Sequence, residues 1–165
     1  MNVRIGFGQD SHRFLPKGST KPLILAGVEI PNFPGFDANS DGDVIFHAVT
    51  NAISSLTGKP VLGLMADELF KKGIVDSQVY LEHALKDLPP GQIKHLSLSL
   101  ELKEPKVLPY FESFKQNLSR ILGIKKNCVG ITAHSGEDLT AFGKGVGAQA
   151  HAILTWEDEK EEKHQ

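Results

Sequence analysis

The stretch Val3-Arg4-Ile5-Gly6-Phe7-Gly8-Gln9-Asp10-Ser11-His12 lies near the start of the chain and sets the first element of the fold. Residues 3–9 predict a strand, which is expected to stop at the Asp10 to His12 segment. This places a carboxylate and an imidazole at the end of one strand. Both groups bind divalent metals, so the segment is a candidate half of a metal site.

A third metal-binding side chain, His47, follows the loop Asn39-Ser40-Asp41-Gly42-Asp43 and lies one turn inside a predicted helix. One carboxylate and two imidazoles can hold a divalent ion with a coordination position left open, which is typical of catalytic zinc rather than magnesium. Spacing alone does not bring His47 to His12. The ordinary alternative, that these are turn and capping residues, therefore stays open at this point.

Outward from the first strand, the sequence predicts a series of helices and strands. A hairpin or bulged strand over residues 23–30 is broken by Gly27 and stopped by Pro31. The further elements are helices over 43–56, 76–88 and 108–122 and strands over 93–101, 129–133 and 148–156, with no assignment for 57–73. This order favours an α/β (α+β) sandwich with helices on one face of a mixed four-stranded sheet, plus a small hairpin.

Length and charge limit the class of protein. With 165 residues, 40% hydrophobic and 23% charged, the chain suits one soluble domain, predicted over 1–156, and a charged, frayed tail over 157–165. A net charge of -2 predicts no general attraction to nucleic acid or membranes. The single Cys128 cannot form an internal disulfide and no targeting segment is recognised, so we expect a cytoplasmic protein.

Two further segments contain residues suited to a nucleotide or a diphosphate. Residues 132–140, followed by a Gly-rich run over 143–147, offer hydroxyls and backbone N–H groups to phosphate oxygens, and Glu137 could hold a second, harder cation. A plain Gly-rich hairpin is the alternative. Over residues 104–109, two prolines fix a backbone whose polar groups could face a base, although a simple strand-to-helix connection would look the same.

Together these segments resemble the 2-C-methyl-D-erythritol 2,4-cyclodiphosphate synthase family of the non-mevalonate isoprenoid pathway. The motifs run in order over nearly the whole chain: Arg4-Ile5-Gly6 to Asp10-x-His12-Arg13-Phe14, Pro22 to Val28, Ser40-Asp41-Gly42-Asp43-x3-His47-Ala48, Pro105-Lys106-x-Leu108-Pro109 and Thr132 to Gly147. The resemblance implies a cyclising phosphorus–oxygen lyase. Its substrate would be 4-diphosphocytidyl-2-C-methyl-D-erythritol 2-phosphate, and its products the cyclic diphosphate and CMP.

The resemblance also implies which residues form the site. Asp10, His12 and His47 would hold Zn2+ or another divalent cation, and Glu137 would hold Mg2+ or Mn2+ against the substrate diphosphate. Asn39 and Ser135 would be catalytic. The substrate-binding residues would be Ser40, Pro105, Lys106, Leu108, Ala133, His134 and Lys144. The family forms homotrimers with each site between subunits, so the metal ligands and the cytidine segment would come from different chains.

Departures from the family pattern alter the expected chemistry. Asn39 replaces a His and cannot carry a proton, Lys144 replaces an Arg, and the divergent segment 62–75 leaves Asp67 without an assigned role. Asn51 replaces an Asp, and its side-chain carbonyl could orient the metal-binding His in place of that carboxylate. Two other functions therefore stay open: a metal-dependent phosphoesterase and a non-catalytic nucleotide-binding module.

Overall fold

The computed structural model describes residues 2–159 and contains six strands and four α-helices within that range. The strands are β1 (Val3–Arg13), β2 (Pro22–Leu25), β3 (Val28–Pro34), β4 (Gly91–Glu101), β5 (Val129–His134) and β6 (Gly147–Asp158). The helices are α1 (Val44–Thr57), α2 (Leu64–Lys71), α3 (Ser77–Leu85) and α4 (Phe111–Leu122). Among these described residues, no helix is both long and apolar enough to cross a membrane.

Four strands form a mixed sheet in the order β1-β6-β4-β5, and β2 and β3 form a separate two-stranded sheet. β1 and β4 both run antiparallel to β6, whereas β5 runs parallel to β4. The predicted fold class is confirmed. The register aligns Ser11, Gln149, Glu101 and His134 in one row across the sheet. The C-terminal ends of β1 and β5 therefore lie at the same end of the sheet, on opposite edges.

The two faces of the sheet differ in what covers them. On the helix side, residues such as Leu96, Leu100 and Leu154 are fully or almost fully buried and form the core. On the other side, Ile5 and Phe7 remain 65% and 52% exposed, and Ile153 on the neighbouring strand is 45% exposed. One face of the sheet is thus packed, and the other presents apolar side chains without a covering layer in this chain.

Two glycines of β1 bring α1 directly onto the sheet. A Cβ at Gly6 would lie 2.2 Å from the carbonyl oxygen of Ala52, and one at Gly8 would lie 2.1 Å from that of Ala48. No side chain fits in this space, so glycine is what permits the close backbone approach. Because alternate residues of a strand share a face, Asp10 and His12 point toward the same side as these glycines, where α1 lies.

Several predicted boundaries are wrong. β1 does not stop at Asp10 but continues through Arg13, so both ligands on it lie inside a strand. β3 continues past Pro31 to Pro34, and α3 ends at Leu85 instead of at residue 88. β6 extends through Asp158, whose carboxylate accepts a 2.6 Å hydrogen bond from the Arg4 guanidinium, so the predicted tail does not begin at residue 157. Residues 160–165 of that tail lie outside the described residues.

Candidate metal centre and nucleotide segment

The three predicted metal ligands come together. Asp10 Oδ2 lies 3.0 Å from His12 Nε2 and 3.0 Å from His47 Nδ1, and the two ring nitrogens are 3.3 Å apart. Among the described residues, these are the group of His, Cys, Asp and Glu side chains that could hold a metal ion. The spacing of these residues in the sequence could not establish that they converge, but in the structure they do.

The geometry of this cluster suits a tetrahedral ion. Ligands at the usual zinc distances of about 2.0 to 2.1 Å, arranged tetrahedrally, lie about 3.3 Å from one another. The measured separations of 3.0, 3.0 and 3.3 Å are close to this value. One carboxylate and two imidazoles form three corners of a tetrahedron, and the fourth corner is left for a water or a substrate oxygen.

The charge of Asp10 is stabilised within the cluster. Burial raises the pKa of its carboxyl, but hydrogen bonds from His12 and His47, and the positive charge that these rings can carry, together outweigh burial. The pKa of Asp10 consequently falls from 3.8 to about 2. The carboxylate is therefore ionised at neutral pH, as a metal ligand must be.

Asp43 fixes the start of α1 and so determines where His47 lies. Its Oδ1 accepts hydrogen bonds from the backbone N–H groups of Ile45 and Phe46 at 3.0 and 3.1 Å, which makes it the N-cap of the helix. Its Oδ2 accepts a 2.7 Å hydrogen bond from Gly27 N in the turn between β2 and β3. Burial, together with the neighbouring Asp41 carboxylate, raises the pKa of Asp43 to about 7.

Aromatic rings hold the two imidazoles in place. The ring of His12 packs on that of Phe36 with centroids 5.8 Å apart, and Phe36 is fully buried. The ring of His47 stacks on that of Tyr80 at 6.2 Å with an interplanar angle of 23°. These contacts fix the ring planes of both imidazoles, which reduces the reorganisation that metal binding requires.

A cavity of about 250 Å³ opens beside the cluster. Its wall includes the three ligands together with Ala38, Asn39, Ser40, Leu62, Ala66, Asp67, Phe70 and Tyr80. Asn39 and Ser40, which the sequence predicted for the site, both line this cavity. Ser40 is 7% exposed, and its Oγ accepts a 3.1 Å hydrogen bond from Gly42 N.

The sequence did not predict the part of this wall that α2 provides. Leu62, Ala66 and Phe70 recur every four residues and therefore share one side of the segment, and Asp67 adds a carboxylate beside them. That spacing was a usable signal. The helix was missed because it has only eight residues, begins at Gly63 without a side-chain cap and buries none of its residues.

The predicted nucleotide segment lies at the other edge of the sheet. Leu102 N donates a 3.1 Å hydrogen bond to His134 O, so the segment that leads to Pro105 and Leu108 starts beside Ala133 and His134. Ser135 and Glu137 follow directly, with Glu137 exposed at φ 49°. Three strand-to-strand spacings, about 14 Å in all, separate β5 from β1. The two halves of the predicted site are therefore well apart within one chain.

Three other predicted residues lie away from the cluster or act differently. Lys144 lines a separate cavity of about 910 Å³, with Lys103 and Lys21 among its neighbours. Lys106 is exposed on the connection after β4. The prediction that Asn51 orients His47 is wrong: Asn51 Nδ2 instead donates a 2.9 Å hydrogen bond to Gln9 O, which ties α1 to β1.

One carboxylate and two imidazoles that could hold a metal ion, placed between an edge strand and the first helix of an α/β fold, are typical of metal-dependent enzymes. The chain belongs to the YgbB family, whose model matches residues 3–157. The resemblance predicted from the motifs is confirmed.

Named relatives and solved structures agree with this membership. The 2-C-methyl-D-erythritol 2,4-cyclodiphosphate synthases of Chlamydia trachomatis serovar L2b and Chlamydia felis are each 53% identical over 154 residues, covering 92% of this chain and 86% and 88% of those proteins. A structure of 2C-methyl-D-erythritol-2,4-cyclodiphosphate synthase in its CDP-bound form is 32% identical with a TM-score of 0.80, covering 93% of this chain and 100% of that chain. The bifunctional IspDF of Campylobacter jejuni is 26% identical with a TM-score of 0.84, and the match covers 96% of this chain and 43% of that longer one.

Proposed function

We propose that this chain cyclises 4-diphosphocytidyl-2-C-methyl-D-erythritol 2-phosphate to 2-C-methyl-D-erythritol 2,4-cyclodiphosphate and releases CMP. The observation that carries the proposal is the Asp10, His12 and His47 cluster, which has an open fourth corner facing a cavity in a chain of the YgbB family. The names of the relatives and the CDP-bound structure supply the chemical class of the substrate.

The proposed reaction needs no nucleophile from the protein. An oxygen of the 2-phosphate attacks the β-phosphorus of the diphosphate, the bond from that phosphorus to the bridging oxygen breaks, and the electron pair leaves with CMP. No water enters. The work of the protein is to fold a flexible substrate so that phosphate meets phosphorus, and proximity of this kind contributes on the order of 7 to 11 kcal/mol at most.

Asp10, His12 and His47 would hold zinc, because two imidazoles and one carboxylate suit zinc better than magnesium. Bound zinc would act as a Lewis acid on a phosphate oxygen at the open corner. Ser40 and Asn39 line the same cavity and would direct hydrogen bonds to the substrate phosphates. Asn39 can donate a hydrogen bond but cannot transfer a proton at neutral pH, so its catalytic role would be to orient and stabilise charge.

Residues at the β5 edge would bind the other half of the substrate. Pro105, Lys106 and Leu108, with Ala133 and His134, would frame the cytidine, and Lys144 would add positive charge nearby. Ser135 would hydrogen-bond the diphosphate, and Glu137 would hold Mg2+ or Mn2+ against it, since magnesium is usually bound by one or two carboxylates and substrate phosphates.

The proposed enzyme is a homotrimer with one site at each interface. Metals acting on one phosphate group lie roughly 4 Å apart, whereas β1 and β5 are about 14 Å apart in one chain. The ends of these strands share one row of the sheet, so the β1 edge of one subunit can meet the β5 edge of the next. Repeated head-to-tail contacts of this kind close into a ring of three when each subunit is rotated by a third of a turn from the last. The exposed Ile5, Phe7 and Ile153 would be covered in such a ring.

Product analysis in isotopic water tests the proposal. Purified protein, loaded with zinc and magnesium and given the substrate in 18O water, should yield CMP and a cyclic diphosphate, and neither product should contain solvent oxygen. His12→Ala, which removes one ligand, should lose bound zinc and turnover together. A linear phosphate labelled with 18O would instead identify a phosphoesterase, and tight binding without turnover a nucleotide-binding module. Either result would contradict the proposed cyclisation.

A further inference from the structure

His47 has a second ring nitrogen that faces away from the metal ligands. Nδ1 points at Asp10 and His12, whereas Nε2 lies 2.8 Å from Ser77 Oγ. Ser77 is the first residue of α3 and is fully buried. The N-cap of α3 is Asp76, whose carboxylate accepts a hydrogen bond from Gln78 N. The Ser77 hydroxyl is therefore not needed to cap its own helix, and it is directed at the imidazole instead.

The Asp41 carboxylate fixes the direction of the Ser77 hydroxyl. Ser77 Oγ donates a short hydrogen bond to Asp41 Oδ1, and Ser77 N donates a 3.1 Å hydrogen bond to Asp41 Oδ2. A carboxylate only accepts hydrogen bonds, and a serine hydroxyl has one proton, so that proton is committed to Asp41. What Ser77 presents to His47 is then a lone pair, which matches the N–H that Nε2 carries whenever a metal is bound at Nδ1.

The consequence for the metal site is a choice of tautomer. With the proton on Nε2, the lone pair of Nδ1 is directed at the ligand cluster and is free to bind an ion. The nearest other hydroxyl, Ser40 Oγ, is 3.5 Å from Nε2 and is already bonded by Gly42 N, so it is the weaker partner. Asp41 N also donates a 2.8 Å hydrogen bond to Val75 O, which anchors the loop before α1 to the start of α3.

We propose that Ser77 is a positioning residue for the metal, with Asp41 as the group that orients it. When a metal occupies Nδ1, Ser77 accepts the hydrogen bond from Nε2–H and holds the imidazole in the ring plane that directs Nδ1 at the ion. The inference rests on the proposed metal site, and nothing else described for this chain assigns a role to either residue. Partners of this kind typically change metal affinity or activity by about 10- to 100-fold.

Zinc affinity, measured without a catalytic assay, tests this inference. Zinc affinity is measured by competition with a chromophoric chelator for the full-length wild-type protein and for Ser77→Ala, Ser77→Thr and Ser119→Ala. Ser77→Ala should bind zinc about 10- to 100-fold more weakly, whereas Ser77→Thr keeps the hydroxyl and should restore most of the affinity. Ser119 is the matched control, because it is equally a buried serine but its Oγ donates to Gln116 O in α4. Ser119→Ala should bind zinc as the wild type does.

The Nε2 proton of His47 provides a readout that a purely structural role would not change. In the zinc-loaded protein Nδ1 is taken by the metal and Nε2 carries the ring proton, so 15N–1H NMR should find this proton slow to exchange with water in the wild type and in Ser77→Thr, and faster to exchange in Ser77→Ala. Asp41→Asn should also speed the exchange, because an amide that donates to Ser77 Oγ turns the hydroxyl proton toward the imidazole.

The outcomes separate the two proposals. If the wild type binds no zinc, the metal site itself is wrong. If the wild type binds zinc and Ser77→Ala either binds it equally well or leaves the exchange of the His47 Nε2 proton unchanged, the positioning role is wrong. Equal losses of zinc affinity in Ser77→Ala and Ser119→Ala would also overturn it, since a general loss of folding would then explain both.

Discussion

Mixing two inactive variants should restore activity if each site is shared between chains. His47→Ala removes a metal ligand, and Glu137→Ala removes the carboxylate at the opposite edge of the sheet, about 14 Å away across three strand spacings. In a mixed ring, an interface is intact only where the metal half comes from the Glu137→Ala chain and the other half from the His47→Ala chain. With equal amounts and random association, each condition holds for about half of the interfaces, so about one quarter of all sites should be intact.

The assay requires mixed assemblies of known composition. The two variants are co-expressed with different affinity tags and purified through both tags, and release of CMP is measured per chain. The control pairs His47→Ala with Asp10→Ala, which damage the same half and so create no intact interface in any combination. Purification through both tags removes the homotrimers, and each mixed trimer has one intact interface of three. Activity near one third of wild type in the first mixture, and only background in the control, is the expected result. Background activity in both mixtures would refute the shared site.

Two further predictions concern stability. Gly8→Ala would place a Cβ 2.1 Å from Ala48 O, so we expect it to lower the free energy of unfolding by about 1 to 3 kcal/mol or more. Gly130→Ala, where the nearest atom is 3.7 Å away, should cost much less in the same urea titration; equal losses would contradict the close-contact argument. The folded state keeps a proton on Asp43 that the unfolded chain releases above pH 3.8, because the pKa of Asp43 is raised to about 7. The free energy of unfolding should therefore fall as the pH rises from 3.8 to about 7. The fall should be at most about 1.4 kcal/mol per pH unit. Asp43→Asn should flatten that slope in urea titrations across this range, and an unchanged slope would show that another group causes it.

Much of the fold could be predicted because the local patterns agreed with it. The helix at His47 begins where predicted, since Asp43 caps it, and the strands with clear apolar character are all present. The end of β1 was misjudged because Asp10 and His12 are polar residues in a strand whose partner β6 continues opposite them, and pairing is not visible locally. α2 was missed because it has only eight residues, lacks a side-chain cap and buries none of its residues completely.

The candidate site could be predicted as a set of residues but not as an arrangement. Asp10, His12 and His47 are recognisable by type, yet their convergence depends on glycines that let α1 touch β1 and on the register of the sheet. The contact of His47 with Ser77, 30 residues further on, has no local signal at all. The failed expectation for Asn51 has the same cause: a residue one turn away was judged from spacing, whereas its side chain reaches the neighbouring strand.

The alternation along β1 can serve as a search pattern in sequences without close relatives. Gly6 and Gly8 indicate that a helix packs directly on the strand. Asp10 and His12, on the same face, indicate that this helix must supply the remaining metal ligand. Read as Gly-x-Gly-x-Asp-x-His, followed by an Asp four residues before a further His, the pattern encodes three-dimensional proximity as well as ligand identity. A substitution at either glycine in a candidate sequence would argue against the metal centre even where all three ligands are present.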